Sequence, residues 1–195
     1  MKRMVLVVAL MVLLAPAAWA DYENGVTAFS NGDYETALTE LKPLAEKGNV
    51  DAQFFLGVMF GTGGQGIRQD YAESAMWLRN AAKQGHIKAE ACLGLMYGEG
   101  KGVKQDYAEA ERWYRKAAEQ GNANAQSSLA DLYREGKGLP QDNVQAHLWY
   151  NLAATGGAEE AAKLRDEVAL KMTPQQISRA QELARNWKPR ANTGE

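Results

Sequence analysis

The sequence predicts an all-α protein built as an α-solenoid, an array of helix-turn-helix repeats. Two kinds of residue recur at one interval of 36 positions, and a fixed period of this length is typical of arrays in which each unit buries its apolar face against its neighbour. The recurring residues are Trp77, Trp113 and Trp149, and Gly85, Gly121 and Gly157.

Each unit is interpreted as two helices, A and B. Helix A carries apolar residues at steps of four, as at Ala52, Leu56 and Phe60, which places them on one helical face. Helix B begins at an aspartate that can accept from the free N–H groups of the first turn. It contains the tryptophan, and it ends before a glycine that can adopt the left-handed conformation of a helix C-terminus. The aspartates are Asp70, Asp106 and Asp142.

This pattern resembles the Sel1-like repeat, a relative of the tetratricopeptide repeat with a longer loop between helices A and B. The second unit carries the family's residues at Ala89, Leu93, Gly94, Tyr97, Gly100, Gly102, Val103, Asp106, Ala110, Trp113, Tyr114, Lys116, Ala117, Ala118 and Gly121. The first unit departs at Ser74 and Leu78, and the third at Ala130 and Leu152. The resemblance implies a right-handed superhelix whose A helices line the concave side.

The repeats divide the chain into a leader, a repeat domain and a tail. The repeat domain is predicted to span 21–187. Its parts are a tetratricopeptide-like hairpin at 21–48, Sel1-like repeats at 49–85, 86–121 and 122–157, and C-terminal capping helices at 158–187. Residues 188–195 are predicted to be a flexible tail.

Residues 1–20 have the pattern of a bacterial secretory signal peptide. Lys2 and Arg3 precede an uncharged apolar run at 4–15, and Ala18-Trp19-Ala20 fits a cleavage site after Ala20. The run is short for a membrane span of about 20 residues, so an uncleaved anchor is the alternative. We therefore expect a periplasmic or secreted protein without stable membrane insertion after cleavage.

Charge and cysteine content limit the possible partners. The chain of 195 residues has a net charge of −2, and removal of Lys2 and Arg3 with the leader leaves 20 basic against 24 acidic residues, about −4. Such a balance does not favour nucleic acid. Cys92 is the single cysteine, so no internal disulfide can form. It is interpreted as a small packing residue, with a reactive thiol as the alternative.

No catalytic residue, cofactor or metal site is predicted. Residues 61–66 spell G-x-G-x-x-G, but they follow a helix, whereas a dinucleotide site needs a preceding strand. These glycines are interpreted as allowing sharp turns with positive φ. His86 and His147 are too far apart in sequence to supply the clustered ligands of a zinc site.

The candidate partner-binding residues lie on helix A, on the side turned away from the predicted core. They are Val50, Phe54, Val58, Ile87, Ala91, Leu95, Ser127 and Asp131, and this set is called the helix-A face below. Its apolar members would form a groove for a peptide or an amphipathic helix. The alternative is that they complete the core.

The sequence thus predicts an exported adaptor that binds another envelope or secreted protein and is not an enzyme; its oligomeric state is left open. The resemblance supports this function, because Sel1-like proteins act as scaffolds in signalling, envelope assembly, exopolysaccharide secretion and host interaction. The alternative is a cell-wall enzyme or binder, with β-lactamase or penicillin-binding-like activity or peptidoglycan or glycan binding. Exported relatives linked to β-lactam chemistry carry a cysteine pair in each repeat, which this chain lacks.

Overall fold

The computed structural model describes residues 21–64 and 66–190, and the predicted signal peptide lies outside these residues. Within them the regular structure is helical, with a single isolated bridge between Gly64 and Ile67. The helices are α1 (21–30), α2 (Tyr34–Glu46), α3 (Val50–Thr62), α4 (Tyr71–Lys83), α5 (Ile87–Glu99), α6 (Tyr107–Glu119), α7 (Ala123–Glu135), α8 (Asn143–Thr155), α9 (Ala161–Ala169) and α10 (Pro174–Asn186). The all-α repeat class is confirmed.

The chain divides into two compact units, and the boundary falls between Ala81 and Ala82, inside α4. Unit 1 contains α1 to α3 and most of α4, and unit 2 contains α5 to α10. In unit 1, α2 packs on α3. In unit 2, α6 packs on α5 and α7, while α8 packs on α7, α9 and α10.

Short polar side chains begin the helices at the predicted places. Asp106 accepts from the backbone N–H groups of Ala108 and Glu109, at 2.9 and 3.1 Å. Asp70 and Asp142 cap α4 and α8 in the same way. These bonds satisfy N–H groups that have no partner within the helix. The predicted aspartate caps are therefore confirmed.

The B helices end at glycines with positive φ, as predicted. Gly121 has a φ of +92°, a conformation that residues with a Cβ rarely adopt. It lets the chain reverse so that the N–H of Asn122 donates to the carbonyl of Ala117 at 3.0 Å, closing the last turn of α6. The side chain of Asn122 then caps α7, so one short turn ends one helix and begins the next.

Helix A approaches helix B closely where helix A has no side chain. A Cβ on Gly94 would lie 2.6 Å from Cδ1 of Tyr114, and a Cβ on Gly57 would lie 2.6 Å from Cγ of Leu78. Glycine weakens a helix by up to about 1 kcal/mol relative to alanine. Here its presence admits a large buried side chain from helix B.

The loop between helices A and B is closed by a glutamine in every repeat. The side-chain amide of Gln69 donates to Gly61 O at 2.8 Å, that of Gln105 to Gly98 O at 2.7 Å, and that of Gln141 to Arg134 O at 2.8 Å. Gly63 and Gly66 have positive φ, as interpreted for the G-x-G-x-x-G segment, whereas Gly61 lies in the last turn of α3.

The core of unit 2 extends to the C-terminal helix. Trp149 is 5% exposed, and its ring meets that of Trp187 edge to face, with 6.5 Å between centroids. Thr173 caps α10 in a capping box with Gln176, and Pro174 occupies the first turn. Beyond Trp187, the backbone N–H of Arg190 donates to the carbonyl of Glu119 at 2.7 Å. The described part of the predicted tail is therefore held at one point, and 191–195 lie outside the described residues.

One buried position differs in charge between repeats. Gln53 and Gln126 are buried and donate to the carbonyls of Ala45 and Ala118, at 3.0 and 3.1 Å. The second repeat has Glu90 there, which accepts from the amide of Gln120 at 2.7 Å. Burial raises the pKa of the Glu90 carboxyl, while the charge of Lys116 and this hydrogen bond oppose the rise.

Truncation of Trp149 should weaken the core strongly. We expect Trp149→Ala to lower the free energy of unfolding by about 3–5 kcal/mol, as loss of large buried aromatics does. Trp149→Phe should cost less, because the Trp149 indole N–H has no acceptor among the described residues. Urea unfolding measures both. An unchanged free energy in the alanine variant would show that the ring does not belong to the core.

Replacement of Glu90 by glutamine should stabilise the protein at neutral pH. Because the folded-state pKa is raised above the ordinary value of 4.5, folding opposes ionisation, and stability is lost as the pH rises from the unfolded to the folded pKa. The advantage of Glu90→Gln should therefore be largest at neutral pH and should vanish below pH 4.5. Thermal melts from pH 3.5 to 8 measure the difference.

The reciprocal substitution provides the matched control. Gln126→Glu places a carboxyl where the amide now donates to Ala118, so it should destabilise the protein more at neutral than at acidic pH. A constant difference across pH for either variant would contradict the assignment.

Candidate functional site

In unit 1 the helix-A face consists of three half-buried side chains on α3. Val50, Phe54 and Val58 follow one another at steps of four, so they share one side of the helix. The ring of Phe54 lies 5.7 Å from that of Phe55, centroid to centroid, at an interplanar angle of 56°. The two rings are therefore tilted against each other. Unit 1 therefore offers a short apolar strip of which part is accessible.

In unit 2 the residues of α5 separate into core and surface. Ile87 and Ala91 are partly buried and pack against the core of the unit. Leu95 is 49% exposed, although its neighbours in the helix, Leu93 and Met96, are buried. The sequence pattern gives these three residues of α5 the same role, but their exposure differs. Leu95 is the accessible apolar residue among them.

On α7, Ser127 is half-buried and Asp131 belongs to a hydrogen-bonded group. Asp131 accepts from the hydroxyl of Tyr150 at 2.6 Å and from the guanidinium of Arg134 at 2.7 Å. Burial raises the pKa of the Asp131 carboxyl, and both partners oppose the rise. One carboxylate oxygen accepts both bonds, so the other remains available to a further donor.

Tyr150 is a residue of this group that the sequence analysis missed. Its side chain starts on α8, is fully buried, and reaches Asp131 on α7. Burial raises the pKa of its hydroxyl, and the hydrogen bond to Asp131 acts in the same direction. The aromatic pair Trp149-Tyr150 repeats Trp113-Tyr114, and this recurrence was the available signal.

Cys92 and Ser128 occupy equivalent positions beside Tyr114. The Tyr114 hydroxyl is hydrogen-bonded to Ser128, and burial raises its pKa to about 12. Burial also raises the pKa of the Cys92 thiol, which disfavours the reactive thiolate. This agrees with the interpretation of Cys92 as a packing residue.

A second polar group joins helix B of the second repeat to helix A of the third. Arg115 donates to Glu111 on its own helix at 2.6 Å and to the hydroxyl of Tyr133 at 2.7 Å. Its guanidinium also lies 5.9 Å from the centroid of the Tyr133 ring. We interpret these contacts as structural, because the guanidinium of Arg115 and its two acceptors all lie within unit 2.

The described residues contain no group of three or more His, Cys, Asp or Glu side chains placed to hold a metal ion. In the same part of the chain, the helices fall short of the length and apolar character that a membrane span needs.

Comparison with known proteins identifies the repeat. A model of the Sel1 repeat matches residues 50–86, 87–122 and 123–157, more than half of the chain. A search of curated proteins finds no match.

Two crystal structures are similar to this chain. A Sel1 repeat protein from Oxalobacter formigenes is 31% identical over 80% of this chain, with a TM-score of 0.71. The protective antigen c5321 of uropathogenic Escherichia coli strains, which has an SLR fold, is 26% identical over 87% of the chain, with a TM-score of 0.62. The present chain covers 63% and 45% of these two proteins. With three matched repeats and this similarity of structure, the chain belongs to the Sel1 repeat family.

Proposed function

We propose that this protein is an exported adaptor that binds a peptide or protein partner through the helix-A face. The observation that carries the proposal is Leu95, an apolar side chain that is 49% exposed on a helix whose other large apolar residues are buried or half-buried. Leaving a leucine in water forfeits about 1.5–3 kcal/mol relative to its full burial. A partner that covers Leu95 would recover part of this free energy.

Family membership supports a binding role. Sel1 repeat proteins generally mediate protein–protein interactions, and the scaffold is typically non-catalytic. Fold alone does not fix function, so the proposal for this chain depends on the side chains that its repeats present.

The residues of the helix-A face that differ between repeats would set the specificity. Equivalent positions carry Phe54, Ala91 and Ser127, and the next set carries Val58, Leu95 and Asp131. We expect the partner to contribute an apolar side chain to Leu95. A hydrogen-bond donor of the partner would meet the free oxygen of Asp131, because this carboxylate is already oriented by Tyr150 and Arg134.

The proposed partner is another envelope or secreted protein. This part of the proposal depends on residues 1–20, whose charged start, apolar run and Ala18-Trp19-Ala20 site fit a secretory signal.

Substitution of Leu95 should abolish partner capture without unfolding the protein. We expect Leu95→Asp to reduce capture from an envelope extract at least tenfold, since one buried aspartate would face the partner's apolar surface, while the melting temperature stays within error. Residues 21–195 serve as bait, and quantitative mass spectrometry measures the captured protein.

Leu170→Asp is the matched control, because Leu170 is 88% exposed and lies outside the helix-A face. It should capture the partner like the original chain. Equal loss in both variants, or unfolding of Leu95→Asp, would refute the proposed face. Turnover of a chromogenic β-lactam by the purified protein would instead favour the enzymatic alternative.

Export is tested by the N-terminus of the mature protein. In a Gram-negative host, the chain recovered from the periplasm should begin at Asp21. Replacement of Ala18 and Ala20 by bulky residues should block this processing, because the peptidase accepts small side chains there. A processed chain in the cytoplasm, or an unprocessed chain in both strains, would contradict export.

A further inference from the structure

Unit 1 contains a pocket that none of the residues of the helix-A face lines. Its volume is about 560 Å³, within the range of about 300–1,000 Å³ that is common for ligand sites. Leu38 of α2, Phe60 of α3 and Ile67 of the following loop form apolar walls, and Arg68, Tyr71 and Glu73 line it as well.

The hydrogen-bonded bridge of Arg115 in unit 2 has no counterpart in unit 1. In unit 2, Arg115 donates to Glu111 and Tyr133. The positions of Glu111 and Tyr133 are taken in unit 1 by Leu38 and Phe60, which cannot accept these hydrogen bonds. At these two positions, unit 2 therefore has hydrogen-bonding side chains, and unit 1 has two apolar walls of the pocket.

Two side chains of opposite charge at this pocket, Arg68 and Glu73, have no ion pair with the described residues. Arg68 is exposed and has no hydrogen bond or ion pair with the described residues. Glu73 accepts only a long hydrogen bond, 3.4 Å, from the indole of Trp77 on its own helix.

In the second repeat, the residue equivalent to Glu73 has a cationic partner on its own helix. This residue, Glu109, is paired with Arg112, and the position of Arg112 is Met76 in the first repeat. Glu73 therefore keeps an unpaired carboxylate beside apolar walls.

We propose that this pocket binds short peptides that carry an apolar side chain and both free termini. The apolar side chain would lie against Leu38 and Phe60, the carboxylate would accept from the guanidinium of Arg68, and the ammonium would donate to Glu73. A guanidinium suits the carboxylate because it offers parallel donors. A ligand with one charge would leave the other side chain without a partner, so the pair of charges selects a zwitterion.

The exposed residues at the edge of the pocket limit how deeply a ligand can be buried. Arg68, Gln69 and Asp70 are exposed, so a bound molecule stays partly in water and its ion pairs are screened. Gln69 is held by the loop, and one oxygen of Asp70 accepts the cap bonds of α4. We assign the charged groups of the ligand to Arg68 and Glu73, which have no ion pair with the described residues. A short peptide spans such a rim while burying one side chain.

The test is a titration of the full-length protein followed by amide chemical shifts in ¹H–¹⁵N spectra. Three probes are compared: leucyl-leucine, N-acetyl-leucyl-leucine, which lacks the ammonium, and leucyl-leucinamide, which lacks the carboxylate. Leucyl-leucine should shift amides between Gly66 and Glu73 and should bind about tenfold more tightly than either derivative, which corresponds to about 1.4 kcal/mol.

Two variants test which side chain binds each charged terminus of the peptide. Arg68→Gln should weaken leucyl-leucine about tenfold and leave leucyl-leucinamide unchanged, because that probe has no carboxylate to lose. Glu73→Gln should weaken leucyl-leucine and leave N-acetyl-leucyl-leucine unchanged. Lys104→Gln and Glu109→Gln, at the equivalent positions of the second repeat, are the matched controls and should bind as the original chain does.

Several results would overturn the proposal. These are the absence of shifts up to millimolar leucyl-leucine, equal binding of the three probes, shifts confined to residues outside the pocket, and equal effects of the variants and their controls. The comparison of the three probes uses the unaltered chain, so it tests the proposal even if a variant fails to fold.

Discussion

The close approach of helix A to helix B is the constraint on which the first two repeats depend. At Gly94 the helices lie so near that a single Cβ would collide with the ring of Tyr114. Tyr114 can therefore be buried between them, and its hydroxyl reaches Ser128 on the next repeat. Because this contact fixes which side of helix A faces helix B, it also fixes which side remains for Leu95.

The loops between helices A and B add a second constraint, which acts between neighbouring repeats. In unit 2, Gly138 lies against the backbone of Tyr107, where a Cβ would come within 2.5 Å, and the ammonium of Lys137 lies 5.5 Å from the Tyr107 ring. In unit 1 a different loop glycine, Gly64, lies against the ring of Tyr34. The tyrosine that begins a B helix thus supports the loop of the repeat that follows.

At a few equivalent positions, the repeats carry side chains of different chemistry. Leu38 and Phe60 line a pocket at the positions where Glu111 and Tyr133 accept hydrogen bonds from Arg115. Glu90 in place of glutamine puts a carboxyl where the other repeats have a donor. Differences of this kind give each repeat its own chemistry, although the repeats share one pattern of helices.

The sequence by itself determined the repeat class, the starts and ends of the B helices and their aspartate caps. These features follow from local chemistry: aspartates that accept from free N–H groups, glycines that take positive φ, and tryptophans that recur at one interval. The helix-A face was predictable as a set of positions from the same periodicity. Its eight residues remain a hypothesis about binding.

Only the tertiary structure decided which of those positions are accessible. Leu95 is half exposed while Ala91 packs on the core, and Asp131 is held by a tyrosine from another helix. The pocket of unit 1 likewise needs Leu38 and residues some 30 positions later to meet. Periodicity gives the direction of a side chain from its own helix, but burial, pairing and open space depend on what distant segments place beside it.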